Sequence, residues 1–394
     1  MTPSTATPSP TEPDEMPPEI APSAAPTSEP VVKPSSSDVE DPLLSVLPKC
    51  MEPEAMALEK MSLAYVADWD GDDEIYSVRA DGSDLVQLTH NEVQDGEPQW
   101  SPDGNLLAYV GGGSNGPKLH LLASETGVDQ VIAPEVAVLF YPFDWSPKGD
   151  SIAAIGIPES ELADAEFDDL YVFDVDSGKA RDITHGPNFA PGSPVYSPDG
   201  RTILFGVRRG ESSSPLLAVN PDGTNMRILP IPFSHVSSKA WHPNGVEILL
   251  LGFSSSGEFG LFIASPEGDL RELTGDWSYA EDPAWSPDGA MIAYAVRGSA
   301  PDAGEQFIER YSLRIIMDEG RLNLEVFETP AAEGVYWIPR FAWSPDSRHI
   351  AFIASNTFGS NTGDLSVLNI CDGSLRLVAE GISVRDDPSW RVVP

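Results

Sequence analysis

A Trp-Ser-Pro-Asp-Gly motif recurs through most of the chain and constrains its fold more than any other feature. Copies begin at Trp100, Trp145, Tyr196, Trp241, Trp285 and Trp343, and the truncated last copy is Ser389-Trp390-Arg391. Successive aromatic residues are 45, 51, 45, 44, 58 and 47 positions apart. Repeats of about 40–50 residues that each hold several short strands are the signature of a β-propeller. The sequence therefore predicts an all-β fold of radially arranged blades.

Each repeat is expected to contribute four strands. In Ser101-Pro102-Asp103-Gly104, the proline presets the φ of the second turn position, and the glycine can adopt the left-handed conformation that closes the turn. The motif thus predicts a hairpin between a Trp strand at Glu97–Trp100 and a second strand at Leu106–Val110. Third and fourth strands are expected at Lys118–Leu122 and Gln130–Ile132. The recurring aromatic residue is expected to pack between neighbouring blades.

The two ends of the repeat region are complementary. Leu63-Ala64-Tyr65-Val66 matches a second strand that has no Trp strand before it, and Pro388-Ser389-Trp390 is a Trp strand with nothing after it. Paired together, they would complete one blade and leave no open sheet edge. We therefore predict a seven-bladed propeller over residues 61–394 that is closed by its N- and C-terminal strands in one blade. We expect it to be a monomer.

The first 60 residues differ in composition from the rest. They contain 13 of the 38 prolines, many Ser, Thr, Ala and Glu residues, and almost no aromatic or β-branched clusters. Such a segment cannot bury enough apolar surface to offset its ordering entropy, so residues 1–60 are predicted to form a disordered tether. Its Cys50 and the other cysteine, Cys371, form either a disulfide that pins the two ends together or two free thiols.

The net charge of −39 restricts the classes of partner. Nucleic acids and anionic membrane surfaces require clustered Lys and Arg, so neither is expected to bind. No run of 18 apolar residues occurs that would span a membrane. A basic protein or peptide, or a divalent cation, remains compatible with this charge. The first residues lack the basic and apolar regions of a signal peptide, but a Pro/Ser/Thr tether before a propeller is typical of periplasmic, cell-surface or secreted proteins.

The repeat resembles a known family. Trp-Ser-Pro-Asp-Gly before Ile-Ala-Tyr, with Asp81-Gly82-Ser83 before Gln87-Leu88-Thr89, is similar to the WD-like propeller repeats of the TolB-like family. The resemblance covers roughly residues 61 to 394. TolB belongs to the periplasmic Tol–Pal envelope system, so the resemblance implies a binding propeller of the cell envelope. TolB itself has a small α/β domain and six blades, whereas this chain has a tether and seven. The same repeat occurs in oligogalacturonate lyases and in prolyl oligopeptidase relatives.

Acidic residues are concentrated in loops that are predicted to surround one mouth of the channel. If the Trp strands are innermost, the loops before them and the loops after the second strands share one face. The long insertions Gly156–Asp169, Arg297–Glu309 and Ala354–Asp364 are expected on that face. The acidic residues before the Trp strands are Asp95, Glu97, Glu281, Asp282, Asp386 and Asp387. Converging carboxylates focus a negative potential, so these six residues are the predicted binding site for a basic partner.

Two metal sites are weaker expectations. Asp68, Asp70 and Asp72 alternate as Ca²⁺ ligands do, but Arg79 stands where an EF-hand loop has its Glu. His90, His185 and His235 fall in loops that are predicted to reach the mouth. Because oligogalacturonate lyases place metal-binding histidines around the channel, this resemblance implies an alternative function: metal-assisted cleavage of a uronate polysaccharide.

A serine hydrolase is not expected. Gly252-Phe253-Ser254-Ser255-Ser256 lacks the second glycine of a nucleophile elbow, and too few residues remain for an α/β hydrolase domain. No nucleophile or cofactor motif stands out. The sequence therefore favours a non-enzymatic binding scaffold that engages a protein or peptide at an acidic channel mouth.

Overall fold

A computed structural model of the chain confirms the all-β, seven-bladed propeller. The structure describes the following residues: 50, 56–69, 71–162, 168–185, 191–207, 215–273, 280–301, 307–317, 320, 322–328, 337–355, 362–383 and 385–393. These residues form seven antiparallel sheets, one for each blade. Most of the segment predicted to be a disordered tether, 1–49 and 51–55, lies outside the described residues.

The strands follow one another in chain order. Those of the first two blades are β1 (Met61–Ala67), β2 (Glu74–Arg79), β3 (Val86–Gln87), β4 (Asp95–Trp100), β5 (Leu106–Gly111), β6 (Lys118–Ala123) and β7 (Asp129–Ile132). Those of blades 3 and 4 are β8 (Val136–Val138), β9 (Asp144–Trp145), β10 (Ser151–Pro158), β11 (Asp169–Asp174), β12 (Lys179–Asp182), β13 (Val195–Tyr196), β14 (Ile203–Gly206), β15 (Leu216–Val219) and β16 (Arg227–Ile228). Those of blade 5 are β17 (Phe233–Trp241), β18 (Ile248–Ser254), β19 (Phe259–Ala264) and β20 (Leu270–Glu272). Those of blades 6 and 7 are β21 (Ala280–Trp285), β22 (Ile292–Pro301), β23 (Phe307–Met317), β24 (Leu322–Glu328), β25 (Trp337–Trp343), β26 (His349–Ser355), β27 (Thr362–Asn369) and β28 (Leu375–Ser383). The last strand, β29 (Ser389–Val392), belongs to blade 1.

Blade 1 is built from both ends of the chain, as the sequence predicts. Strand β29 pairs antiparallel with β1, from Met61 opposite Val392 to Ala64 opposite Ser389. Arg391 adds side-chain bonds to this closure: its Nε donates to Ser62 Oγ at 3.1 Å. Its guanidinium also lies 4.1 Å from the ring centre of Trp100 in blade 2. Because the closure joins the first and last strands, the ring has no open end.

The Trp strands are innermost, and each contacts the Trp strand of a neighbouring blade. The aromatic residue packs between blades, as predicted. The indole Nε1 of Trp145 donates to Gln99 O at 3.2 Å, and that of Trp390 donates to Ala342 O at 3.0 Å. In each case the acceptor lies directly before the Trp of the preceding blade. In these two repeats the indole therefore contributes apolar burial and one hydrogen bond to the interface between blades.

Two blades differ from the simple four-strand expectation. In blade 3, β8 and β9 both pair with β10, so the inner edge is divided and the sheet has five strands. In blade 6, β22 and β23 continue together as far as Pro301 opposite Phe307. The insertion predicted at Arg297–Glu309 therefore lengthens this hairpin, because residues 297–301 and 307–309 continue the two paired strands.

The last residues of the segment predicted to be a tether pack against the propeller. Leu58–Lys60 form a 3-10 helix, and the side chains of Met56 and Leu58 pack against the core between blades 1 and 7. Cys50 forms a disulfide with Cys371, with Cα atoms 5.3 Å apart. Of the two states that the sequence leaves open, the structure has the disulfide. No helix in the described ranges is long and apolar enough to cross a membrane.

Candidate binding site at the channel mouth

The two ends of the channel carry different loops. The Ser-Pro-Asp-Gly turns lie where the Trp strands end, and this end is called the turn face. The Trp strands begin at the opposite end, where Asp95 of β4 lies opposite Gly111 at the end of β5. This end is called the mouth face. Because strands alternate in direction within each blade, the loops between second and third strands also lie on the mouth face.

A backbone irregularity lies at the same point of two Trp strands. The register between β4 and β5 shifts between Gly96 and Gln99, and the register between β21 and β22 shifts between Glu281 and Ala284. Within these shifts, Glu97 has a φ of 54° and Asp282 a φ of 43°. Positive φ is uncommon for residues other than Gly, and bulges redirect side chains. Both bulged residues stand three positions before their Trp.

An arginine lies at the centre of the acidic residues. Arg340 Nη1 is 3.7 Å from Asp282 Oδ2. Arg340 Nε donates to the main-chain oxygen of Arg385 at 3.0 Å. The strongest charge interactions of this guanidinium are with Asp387, Asp282, Glu97 and Asp386. Four of the six carboxylates that the sequence predicts to bind a partner therefore surround one cation.

The four carboxylates around Arg340 outnumber its single positive charge. Burial, with the nearby negative charge of Asp386, raises the pKa of Glu97 to about 8. Burial also raises the pKa of Asp386 to about 6, although this carboxylate accepts a hydrogen bond from the Glu97 amide. The pKa of Asp387 is raised chiefly by desolvation. Its side chain is nevertheless exposed, so solvent screens its charge.

A second ion pair extends the cluster toward blade 1. Arg385 Nη1 lies 3.3 Å from Asp73 Oδ2. Desolvation raises the pKa of Asp73 despite this pair, and the charges of Asp68 and Asp72 raise it further. Five carboxylates thus share two arginines. The arrangement stabilises a further cation more than it stabilises an anion.

Asp95 takes part in a different network. Its side chain is 2% exposed, and its Oδ2 accepts a hydrogen bond from Asn91 Nδ2 at 2.7 Å. Glu74, also buried, accepts one from the Asn91 amide at 2.6 Å and one from Thr89 Oγ1. Desolvation raises the pKa of Asp95 to about 7. The structure therefore places Asp95 in this buried network, and its role in binding a partner stays a prediction. Glu281 is half-buried beside Asp282.

The candidate metal ligands that the structure describes do not form a metal-binding group. Asp68 and Asp72 lie near Asp73, but Asp70 lies outside the described residues. His90 and His235 are exposed, and His185 Nδ1 lies 3.0 Å from Asp182 in its own turn. Within the described part of the chain, no three His, Cys, Asp or Glu side chains are placed to hold a metal ion. Both metal assignments remain predictions of the sequence.

Sequence reasoning missed Arg340, Arg385 and the aromatic residue Phe140, which lies at the mouth. A signal for Arg340 was present. Aligned on the Trp, it occupies the position that Glu97, Asp282 and Asp387 occupy in their repeats. Comparing that one position across the blades would have identified a cation among acids on the channel wall.

The fold and the mouth together define a repeat propeller with an acidic channel end. A family model described as the TolB beta propeller domain matches residues 53–244 and 107–303. These overlapping matches span more than half of the chain, so the chain belongs to this family.

Two relatives match about half of the chain. The Tol-Pal system protein TolB of Gluconobacter oxydans is 26% identical over 258 residues, which cover 52% of this chain and 55% of that protein. The uncharacterized peptidase YuxL of Bacillus subtilis is 27% identical over 221 residues, which cover 52% of this chain and 30% of the peptidase. The chain thus spans only part of the length of both relatives.

Among solved structures, an oligogalacturonate lyase from Vibrio parahaemolyticus superposes with a TM-score of 0.57. It is 19% identical, and the match covers 74% of this chain and 82% of the lyase. At this identity the likeness shows the fold alone.

Proposed function

We propose that the protein is a non-enzymatic binding propeller of the cell envelope or exterior, and that it engages a basic protein or peptide at the acidic mouth of its channel. The observation that carries this proposal is the cluster around Arg340, whose guanidinium lies 3.7 Å from Asp282 and also interacts electrostatically with Asp387, Glu97 and Asp386. A cationic group of a partner would supply the charge that these carboxylates lack. Electrostatic complementarity of this kind favours both fast association and specificity.

The backbone at the cluster supports the same conclusion. Left-handed φ values outside glycine cost free energy, and such strain is concentrated at functional sites. Glu97 and Asp282 keep acidic side chains at strained positions where glycine would be unstrained. A role for the carboxylates at the mouth explains why the strain is retained.

The disulfide supports a location outside the cytoplasm. Disulfides persist in oxidising compartments and are rare in the reducing cytosol. Cys50 and Cys371 are joined across 321 positions of sequence, so the bond stabilises the folded ring rather than a local turn. The envelope location of the TolB of Gluconobacter oxydans, a Tol-Pal system protein, agrees with this proposal.

The test is a cross-linked pull-down from extract of the source organism with the full chain as bait. In the mouth variant, Glu97, Asp282 and Asp387 are changed to Lys. In the matched control, the exposed turn-face residues Glu125, Asp176 and Glu267 are changed to Lys, which alters the net charge equally.

We expect a partner that binds the parent and the turn-face variant in low salt and does not bind the mouth variant. Enrichment of no partner by the parent, or equal enrichment by both variants, would contradict the proposed function.

A further inference from the structure

Exposed aromatic side chains are unevenly distributed over the propeller. Among the described residues, the most exposed large aromatic residues are Trp69, Phe140, Tyr141 and Phe253, each about 40% exposed. Trp69 lies between the second and third strands of blade 1, Phe253 near the end of the second strand of blade 5, and the other two directly before a Trp strand. All four are therefore on the mouth face. Exposed aliphatic residues lie on both faces: Val93 precedes a Trp strand on the mouth face, whereas Val128 and Val246 lie in turns of the turn face.

This distribution indicates a macromolecular contact. Aromatic residues are enriched at the centres of protein interfaces, where they provide large contact areas at low entropic cost. Trp69 packs partly on Tyr76 and Phe253 partly on Phe259, with ring centroids 4.5 and 5.0 Å apart, but each of the four rings also keeps an exposed side. A small ion would need none of them.

One aromatic residue is beside the acidic cluster. A Cβ atom placed on Gly96 would lie 3.2 Å from Asp386 Oδ2 and 3.3 Å from two ring atoms of Phe140. Asp386 of blade 1 and the Phe140 ring of blade 3 therefore lie close together above Gly96 of blade 2, which has no side chain. The Phe140 side chain is 42% exposed, so the ring remains open to the solvent of the mouth. A carboxylate beside an exposed ring is a favourable place for an ammonium or guanidinium group, because both attract a cation.

We propose that the mouth face binds an extended segment of another protein whose central contact is a Lys or Arg side chain held between Asp386 and Phe140, above Gly96. Aromatic or aliphatic residues of that segment pack on Tyr141 and on the other exposed rings of the mouth. This inference rests on the proposed function and specifies the chemistry of the partner.

The occupant is not supplied by this chain. The residues before Cys50 carry a net negative charge, which the mouth repels. Cys50 is also held by Cys371, which lies between the third and fourth strands of blade 7 and hence on the turn face. A second copy of a chain with a net charge of −39 is likewise repelled. The partner is therefore a different, basic molecule.

A displayed library of 12-residue peptides tests this inference, with the full chain immobilised as the target. We expect the selected peptides to contain Lys or Arg next to aromatic or aliphatic residues. The affinity of one such synthetic peptide is then measured for the parent and for three variants: Phe140→Leu, Gly96→Ala and Gly206→Ala. Gly206 is the matched control, because a Cβ there meets nothing within 4 Å and neither glycine has a left-handed backbone.

Phe140→Leu keeps the apolar volume but removes the ring, so we expect binding to weaken about two- to fivefold. Gly96→Ala places a methyl group against both the carboxylate and the ring, and we expect a loss of roughly tenfold. Gly206→Ala should bind as the parent does. Replacing the Lys or Arg of the peptide by Gln should remove the difference between the parent and Phe140→Leu.

The inference is overturned if the library yields no binder, if the selected peptides lack basic residues, or if Phe140→Leu and Gly96→Ala both bind like the parent. The mouth variant with three Lys substitutions separates this result from failure of the proposed function. If the mouth variant does not bind the peptide while the Phe140 and Gly96 variants still bind it, the proposed function of the acidic mouth is supported. The proposed contact above Gly96 is then wrong. Thermal melting of each variant identifies misfolding, and Phe140→Leu provides the test if Gly96→Ala does not fold.

Discussion

Glu97 and Asp282 occupy the same position in two repeats of the propeller, and both have a left-handed backbone. Each stands three residues before its Trp, within a register shift of the innermost strand, with φ values of 54° and 43°. A regular strand would alternate its side chains between the two faces of the blade. At the register shift, Glu97 and Asp282 do not follow this alternation, and their carboxylates are directed toward Arg340 instead. The same backbone distortion in blades 2 and 6 therefore places two carboxylates in one acidic site.

This relationship predicts a trade-off between stability and binding. Changing Glu97→Gly relieves the left-handed strain and removes a poorly neutralised carboxylate. We expect the free energy of unfolding to rise by about 1 kcal/mol, measured by urea denaturation, while binding of a basic peptide weakens. Asn225→Gly is the control, because Asn225 is exposed at a φ of 58° far from the mouth and asparagine tolerates this conformation. If Glu97→Gly were less stable than the parent, the Glu97 side chain would stabilise the fold by more than the left-handed backbone destabilises it.

The raised pKa values predict how stability depends on pH. The pKa of Glu97 is about 8 in the folded protein, above the ordinary value of 4.5. Between these values the folded state binds more protons than the unfolded state, so stability falls as the pH rises. We expect Glu97→Gln to reduce the loss of stability between pH 5 and pH 8 by about 1 kcal/mol, after allowance for solvent in the channel. Urea denaturation at the two pH values checks this, and an unchanged difference would contradict it.

Removal of the central cation should destabilise the fold. Arg340→Met leaves four carboxylates around an apolar side chain, and we expect a loss of about 2 kcal/mol in the free energy of unfolding. Arg314→Met is the matched control: Arg314 also forms an ion pair, at 3.1 Å from Glu325, on the outer part of blade 6. Because exposed pairs contribute little, its loss should stay within about 1 kcal/mol. Equal losses in the free energy of unfolding would show that Arg340 stabilises the fold no more than an exposed ion pair does.

The architecture could be predicted from the sequence because its determinants are local and repeated. The turn chemistry of Ser-Pro-Asp-Gly fixes each hairpin, and the incomplete ends around Leu63 and Trp390 fix the closure. The site was only partly predictable, because side-chain direction depends on register. Asp95 and Glu97 are two residues apart and would share a face of a regular strand, but the intervening shift directs them into different networks. No local pattern reports such a bulge.

The last prediction concerns the bond between Cys50 and Cys371. It closes a loop of 321 positions, and long loops lose the most unfolded-state entropy when they are cross-linked. We expect the double change to Ser to lower the free energy of unfolding by about 3 kcal/mol or more and to lower the melting temperature. A reductant should lower the melting temperature of the parent toward that of the variant and leave the variant unaffected. The mouth lies on the opposite face from this bond, so peptide binding at 25 °C should be equal in both proteins. Loss of binding in the Ser variant would mean that the bond also positions the mouth. If reductant left the melting temperature of the parent unchanged, the bond would contribute nothing to the stability of the fold.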